Sequence, residues 1–200
     1  GRQLALEVSL EADVVIPVPE SGRTAALSYA ENTGVPFKEG LTKNRYVGRT
    51  FIQPGENLRH LSVKLKFNPI KEVVAGQRVI LVDDSLVRGT TARQIVKLLR
   101  EAGAREVHFL VASPPVLYPC YYGIHLAEPQ ELLAVRYNLT EMKRYLDVDS
   151  LHFLSLEGML SAFTGSSQGF CTACFNGHYP VAVPDHWSLK GEQRPKLYTM

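Results

Sequence analysis

Residues 79–91 read V-I-L-V-D-D-S-L-V-R-G-T-T, and this stretch decides the fold. Its first four residues are apolar and mostly β-branched, which predicts a buried strand of a parallel sheet. Two carboxylates, Asp83 and Asp84, follow directly, and a turn of small and hydroxyl-bearing residues then leads into a helical pattern. In open α/β sheets, phosphorylated ligands bind at such a junction between a strand end and a helix start.

The residue types of this turn suit a sugar phosphate. A phosphate needs several N–H donors on a concave backbone, and Gly89 lets the chain curl closely around it. The hydroxyls of Ser85, Thr90 and Thr91 add donors without bulk. Carboxylates next to such a turn can accept hydrogen bonds from ribose hydroxyls and can hold Mg²⁺ through water. The stretch therefore predicts a site for phosphate, ribose and metal.

Composition limits the classes of function. The chain has 200 residues, 45% of them hydrophobic, which is enough for one good core with a smaller appended region. Its 22 basic and 20 acidic residues nearly balance, which gives no support for a broad nucleic-acid surface. No apolar run reaches membrane-spanning length, and no secretory signal is visible at the amino terminus. We therefore expect a cytoplasmic protein that binds neither membranes nor nucleic acid.

Strand-like and helix-like patterns alternate along the chain. A strand at 13–17 is followed by a small turn at 20–22 and a helical pattern, so a second strand–turn–helix unit precedes the first. The alternation predicts an α/β fold with a doubly wound, mostly parallel sheet. His108 is expected to be a packed histidine within one strand. Further strands are predicted at 35–41, 106–112 and 151–154, and further helices at 90–102, 129–134, 140–146 and 156–163.

The stretch 79–91 resembles the phosphoribosyl pyrophosphate (PRPP) motif of the type I phosphoribosyltransferases. A strand whose trailing acids merely cap the next helix is the simpler interpretation of an isolated Asp-Asp pair. The resemblance instead implies the type I phosphoribosyltransferase fold and Mg²⁺ held by Ser21, Asp83 and Asp84. It also implies a set of substrate-binding residues: Glu20, Ser21, Asp83, Asp84, Ser85, Val87, Arg88, Gly89, Thr90 and Thr91.

A basic segment, K-N-R-Y-V-G-R-T-F-I-Q-P, occupies 43–54. An isolated segment of this kind is typical of a solvated basic hairpin or a nucleic-acid patch. It lies between the first βαβ unit and the acidic motif, however, and it is similar to the flexible active-site loop of the glutamine PRPP amidotransferase family. The resemblance implies catalytic roles for Lys43, Arg49 and Lys66 at the pyrophosphate, with Tyr46 covering the site.

Three cysteines complete the set of candidate residues. Cys171 and Cys174 form a C-x-x-C pair, which is typical of zinc and iron–sulfur sites, while a redox dithiol is the usual alternative. The odd count argues against a disulfide framework. Cys120, Cys171 and Cys174 resemble ligands of the iron–sulfur subgroup of the amidotransferases. This resemblance implies a 4Fe-4S cluster whose fourth ligand lies outside this chain. His178 could instead complete a zinc site.

The resemblance implies an activity. The family replaces the pyrophosphate on carbon 1 of PRPP by ammonia, giving 5-phosphoribosylamine in the first step of de novo purine biosynthesis. We expect a phosphoribosyltransferase domain at 1–165 and a cysteine-bearing tail at 166–200, without the glutaminase half that supplies ammonia from glutamine. Purine nucleotides as feedback inhibitors and a homo-oligomer are implied as well. A base-salvage phosphoribosyltransferase and a PRPP-sensing regulatory protein are the alternatives.

Overall fold

The computed structural model describes residues 1–44, 46, 66–122, 129–163 and 169–182. Within these ranges, a parallel sheet of four strands forms the centre, and a short antiparallel pair of strands lies beside it. In spatial order, the central strands are β1 (Val14–Pro17), β4 (Arg78–Asp83), β5 (Glu106–Val111) and β6 (Ser150–Phe153). The antiparallel pair consists of β2 (Leu41–Lys43) and β3 (Phe67–Pro69).

Short helices surround the sheet. None of those in the described ranges combines the length and the apolar content that crossing a bilayer would require. A 3₁₀ turn lies at Pro129–Glu131. The helices are α1 (Arg2–Glu7), α2 (Arg23–Thr33), α3 (Lys71–Val74), α4 (Thr90–Glu101), α5 (Leu133–Arg136), α6 (Leu139–Leu146), α7 (Leu156–Ser161) and α8 (Ala173–Asn176).

The central sheet buries both of its faces. Successive side chains of a strand point to opposite faces, so β4 places Ile80 and Val82 in one apolar cluster and Val79 and Leu81 in another. The first cluster includes buried residues of α1 and α2, and the second includes those of α4 and α6. Each such apolar side chain contributes about 1.5–3 kcal/mol when fully buried. This two-sided burial explains the nearly continuous apolar run of β4.

The chain leaves β1 and β4 in opposite directions. From β1 it passes through α2 on one face and returns at Phe37, which forms an isolated parallel bridge with Val15. From β4 it passes through α4 on the other face and continues into β5. The carboxyl ends of β1 and β4 therefore flank the topological switch point, where ligands of open α/β sheets bind.

An ion pair fixes the opposite end of these two strands. The backbone N–H of Arg78 donates to Asp13 Oδ2 (2.7 Å), and its guanidinium Nη2 lies 2.9 Å from Asp13 Oδ1. Hydrogen bonds from Arg78 lower the pKa of Asp13 to about 2. The pair ties the start of β4 to the residue before β1, and so supports the register that aligns the two carboxyl ends.

The structure confirms most of the predicted elements and corrects two. The predicted strand at 35–41 is wrong: only Phe37 pairs with β1, and β2 begins at Leu41. The predicted helix at 129–134 is divided at Leu132, where extended backbone separates the 3₁₀ turn from α5. The helices α1, α3 and α8 were not predicted, because segments of four to six residues are too short to show a repeated helical pattern. As predicted, His108 is packed, with Nδ1 2.9 Å from Ser150 Oγ.

Candidate active site

Two turns meet at the switch point and bring the predicted metal-binding side chains together. The turn after β1 carries Ser21, whose hydroxyl donates to Asp83 Oδ1 at the end of β4 (2.8 Å). The backbone N–H of Val18 donates to the carbonyl of Val82 (2.8 Å), which holds the two strand ends side by side. Glu20 is exposed in the same turn, after a cis peptide bond with Pro19.

Gly22 permits the close approach of the turn after β1 to the end of β4. A Cβ atom at Gly22 would collide with the carbonyl oxygen of Val82 and lie 3.0 Å from the Cα of Asp83. The backbone conformation at Gly22 is an ordinary one, with φ of −78°, so the glycine is required by the available space and not by the dihedral angles. A side chain here would separate Ser21 from Asp83.

The acidic pair has unusual electrostatics. Burial raises the pKa of Asp83 to about 7; the neighbouring charge of Asp84 acts in the same direction, against the hydrogen bond from Ser21. The backbone N–H of Asp84 also donates to Asp83 Oδ1 (2.9 Å), and Ser85 Oγ donates to Asp84 Oδ1 (3.2 Å). Bringing a cation to this position would stabilise the ionised pair, so Ser21, Asp83 and Asp84 fit a magnesium site in their chemistry.

The turn from Ser85 to Thr91 has the backbone form of an anion site. Gly89 precedes α4 with φ of +75°, in the left-handed region that glycine adopts without strain. No side chain of the described residues caps this end of α4, so its first N–H groups remain available to an anion. Thr90 is exposed and Thr91 is half-buried in that first turn. The predicted phosphate-binding residues are thus contiguous at a helix start.

The segment that contains Glu131 and Leu133 packs against the turn from Ser85 to Thr91. The backbone N–H of Leu133 donates to the carbonyl of Val87 (2.8 Å), and Arg88 Nη2 lies 3.0 Å from Glu131 Oε2. The position that a Cβ would take at Gly89 is 2.9 Å from Leu133 Cδ2, so this leucine packs directly under the turn. Sequence reasoning missed Glu131 and Leu133, because no local pattern relates them to a turn more than forty residues earlier.

Two of the predicted catalytic residues, Lys43 and Lys66, lie at the base of the basic segment. Lys43 ends β2 opposite Phe67, and the N–H of Asn44 donates to the carbonyl of Lys66 (2.7 Å). Lys43 and Lys66 therefore lie on two neighbouring segments that are hydrogen-bonded to each other. Lys66 Nζ lies 5.8 Å from the ring centroid of Phe67. The side chain of Tyr46 is fully exposed. Arg49 lies outside the described residues, so its predicted role stays a prediction.

The cysteine segments also approach one another. The carbonyl of Cys174 accepts hydrogen bonds from the N–H groups of Leu117 (2.9 Å) and Tyr118 (3.0 Å), close to Cys120 in the chain. Burial raises the pKa of the Cys174 thiol, and Cys120 and then Cys171 act in the same direction. In the described part of the chain, no three His, Cys, Asp or Glu side chains gather closely enough to hold one metal ion.

Two tyrosines fasten the end of the described chain to the Cys120 segment. The Tyr122 hydroxyl donates to the carbonyl of Val181 (2.8 Å) and accepts from its N–H (3.1 Å). The Tyr179 hydroxyl donates to the carbonyl of Pro119 (2.7 Å). His178 is exposed, and its backbone N–H donates to Asn176 Oδ1 (2.9 Å). These contacts hold the two cysteine-bearing segments in one place.

A parallel sheet with an acidic pair and a glycine-containing turn at a helix start beside its switch point is the type I phosphoribosyltransferase fold. The family model for the phosphoribosyl transferase domain matches residues 2–119. The chain belongs to this family.

Curated relatives are amidophosphoribosyltransferases. Those of Synechocystis, Archaeoglobus fulgidus and Bacillus subtilis are 52%, 52% and 50% identical to this chain, each over 92% of its length. The chain spans only 37%, 41% and 39% of these relatives. The Bacillus subtilis glutamine PRPP amidotransferase, solved in complex with ADP and GMP, matches with a TM-score of 0.82 and 48% identity over 94% of this chain and 42% of that one.

Proposed function

We propose that this chain is the part of an amidophosphoribosyltransferase that binds PRPP and transfers its phosphoribosyl group to ammonia. In this reaction the bond from carbon 1 to the pyrophosphate oxygen breaks, a carbon–nitrogen bond forms, and the attacking ammonia loses a proton. The products are 5-phosphoribosylamine and pyrophosphate. The observation that carries the proposal is the contact between Ser21 and Asp83, which joins two separate turns beside an anion-binding helix start.

Different residues of the site would bind different parts of PRPP. The turn from Ser85 to Thr91 would bind the 5-phosphate through backbone N–H groups and hydroxyls. Asp83 and Asp84 would accept hydrogen bonds from the ribose hydroxyls. Lys43 and Lys66 would offset the charge of the departing pyrophosphate. Displacement at such a carbon passes through an oxocarbenium-like sugar. The residues therefore need to orient the substrate and stabilise the charge that develops on it, and none of them needs to act as a nucleophile.

Magnesium is the metal that fits the acidic pair. Asp83, Asp84 and the hydroxyl of Ser21 would hold it as hard oxygen ligands. When bound, the ion would neutralise charge on the pyrophosphate leaving group. The raised pKa of Asp83 supports this assignment, since a buried carboxyl beside a second acid is stabilised in its charged form by a cation.

The cysteines are proposed as three ligands of a 4Fe-4S cluster. Support comes from Cys174, whose thiol pKa is raised by burial and, in the same direction, by the nearby Cys120 and Cys171. Zinc completed by His178 is the alternative. Iron and zinc analysis of anaerobically purified protein, with its visible spectrum, decides between them.

Calorimetric titration with PRPP in the presence of Mg²⁺ tests the core of the proposal. Replacing Asp83 or Asp84 by asparagine should weaken binding by about tenfold or more, because a charged acceptor for the ribose and the metal is lost. Asp147→Asn is the matched control: it removes an exposed carboxylate at the end of α6, where asparagine tolerates the left-handed backbone. Undiminished affinity in both site variants would overturn the proposal.

The nitrogen donor is tested by following pyrophosphate release from PRPP. With this chain alone, release should depend on ammonia and should not respond to glutamine. Release that depends on a purine or pyrimidine base would instead support a salvage enzyme. Inhibition by purine nucleotides, a homo-oligomer and a cytoplasmic location remain predictions, and the same titration with ADP and GMP tests the first.

A further inference from the structure

The segment at 129–136 lies between the phosphate-binding turn and the cysteine-bearing segment. Toward the turn it offers Leu133, whose N–H donates to Val87, and Glu131, which pairs with Arg88. Its other apolar side chains, Leu132 and Val135, are buried in a separate cluster. The segment is therefore in contact with the turn through one set of groups and with a second cluster through another.

That second cluster is shared by the two functional regions. It consists of Val116, Leu132 and Val135, which are 5%, 0% and 7% exposed. Val87 of the phosphate-binding turn packs against it, and so do Cys174 and Phe175 of the cysteine-bearing segment. Side chains that share a cluster respond to each other's removal, because a void left by one is filled by movement of the rest.

The backbone strengthens this arrangement on the cysteine side. The Cys174 carbonyl accepts the N–H groups of Leu117 and Tyr118, and these follow Val116 directly in the chain. Ala173, at the start of α8, is 2% exposed. Phe175 is consequently held against the cluster by a segment that is itself anchored, and it can act as a fixed support.

We propose that Phe175 is a positioning residue for PRPP binding: the cysteine-bearing segment at 171–177 holds the phosphate-binding turn in its binding conformation through the cluster of Val116, Leu132 and Val135. The inference rests on the proposed function and goes beyond it, since it makes the affinity for PRPP depend on a segment that has no place in the substrate site. Whatever loosens this segment, including a change at its cysteines, should weaken PRPP binding without touching the substrate.

Phe175→Ala tests the inference by calorimetric titration of the whole chain with PRPP and Mg²⁺. The dissociation constant should rise about fivefold to tenfold, the range expected for side chains coupled through a shared cluster. The number of PRPP molecules bound per chain should stay unchanged. A merely structural defect would lower that number, because unfolded molecules do not bind, and would leave the dissociation constant of the folded molecules as it was.

A double-mutant cycle tests whether Phe175 affects PRPP binding through the cluster that it shares with Val87. Val87→Ala should weaken binding alone, and adding Phe175→Ala to it should have little further effect, because both act on one cluster. The matched control is Phe170→Ala, which removes another phenylalanine of the same region that is 49% exposed and stacks on Phe163. Its effect on PRPP binding should be negligible, alone or with Val87→Ala.

The outcomes separate cleanly. If the unaltered chain fails to bind PRPP, the proposed function is wrong, and the inference is lost with it. If the unaltered chain binds and Phe175→Ala binds equally well, or if the two substitutions add independently, the inference alone is overturned. Should Phe175→Ala fail to fold, Phe175→Leu decides: it keeps most of the apolar contact, so affinity between that of the unaltered chain and that of Val87→Ala supports the inference, and unchanged affinity contradicts it.

Discussion

At the scale of single residues, the site depends on a few positions that join distant parts of the chain. Gly22 is one, because its missing side chain lets the turn after β1 rest on the end of β4. Asp83 is another, because one carboxyl receives the Ser21 hydroxyl and the Asp84 backbone N–H at the same oxygen. Each joins parts of the chain about sixty residues apart.

Replacing Gly22 by alanine should weaken PRPP binding by about tenfold and cost roughly 1–3 kcal/mol of unfolding free energy. The added Cβ must displace the backbone of Val82 or the whole turn, since neither atom it meets is at the end of a flexible side chain. Calorimetry and denaturant unfolding measure the two effects. Gly34→Ala, at the other end of α2, is the control: it strains a left-handed backbone but should leave the dissociation constant unchanged.

The raised pKa of Asp83 predicts how stability depends on pH without metal. Its folded pKa of about 7 exceeds the unfolded value, so the folded state favours the protonated acid. The stability that this preference provides is complete below about pH 4 and is lost as the pH rises to about 7. Asp83→Asn should therefore stabilise the metal-free protein increasingly over this range, as measured by urea unfolding at several pH values. A constant difference between the two proteins would contradict the assignment.

At this scale, sequence reasoning named candidate residues that the fold brings together and missed those that support them. Asp83, Ser85 and Gly89 could be predicted because they stand in one short motif whose residue types match a ligand. Leu133 and Glu131 could not be predicted, because a leucine under a turn looks like any core leucine until the fold brings it there.

At the scale of elements, most of the fold could be predicted from the alternation of strand-like and helix-like patterns in the sequence. The prediction of α4 at 90–102 agrees with Thr90–Glu101, because its apolar residues repeat with helical spacing and a glycine follows. The strand predicted at 35–41 failed for a physical reason: Phe37 pairs with β1 at one position only, since Pro36 has no N–H to continue the ladder, and from Leu41 the chain pairs with β3 instead. The isolated bridge still marks where the sheet would extend.

The ion pair between Asp13 and Arg78 should stabilise the β1–β4 register at neutral pH and lose this effect in acid. The folded pKa of Asp13, about 2, lies below the unfolded value, so its contribution to stability is present above about pH 4 and is lost as the pH falls toward 2. Asp13→Asn should lower the stability at neutral pH, and the deficit should shrink over that acid range in urea unfolding. Glu11→Gln is the control, since this partner of Arg78 has a side chain that is 94% exposed and should contribute little.

At the scale of the whole molecule, the last described segment is part of the folded body. Ala173 is buried, the Cys174 carbonyl is doubly hydrogen-bonded, and two tyrosine hydroxyls reach across from one segment to the other. The glycine- and serine-rich stretch that precedes Cys171 predicted a tail, and no periodicity revealed α8. This segment is held to the folded body by contacts between residues that are far apart in the sequence, and a local sequence pattern does not reveal such contacts.

Removing both tyrosine hydroxyls should release this segment before the sheet unfolds. In the double variant Tyr122→Phe with Tyr179→Phe, amide exchange across 171–177 should be about tenfold faster, since each lost hydrogen bond is worth about 0.5–1.5 kcal/mol. Exchange in β4 and β5 should not change. Tyr29→Phe, whose hydroxyl binds Val8 on the other side of the sheet, is the control and should leave 171–177 unaffected. Equal exchange in all three proteins would contradict the predicted local opening.

The cluster of Val116, Leu132 and Val135 has a consequence for the order in which the protein becomes competent. During synthesis on a ribosome, the turn at 85–91 emerges first, the segment at 129–136 later, and Phe175 later still. A nascent chain that stops before Phe175 would already display its ligand-binding groups, but without the packing that holds them. Competence to bind would thus arrive only after Phe175 has been translated, and a product truncated before this residue would be poorly equipped to sequester the substrate.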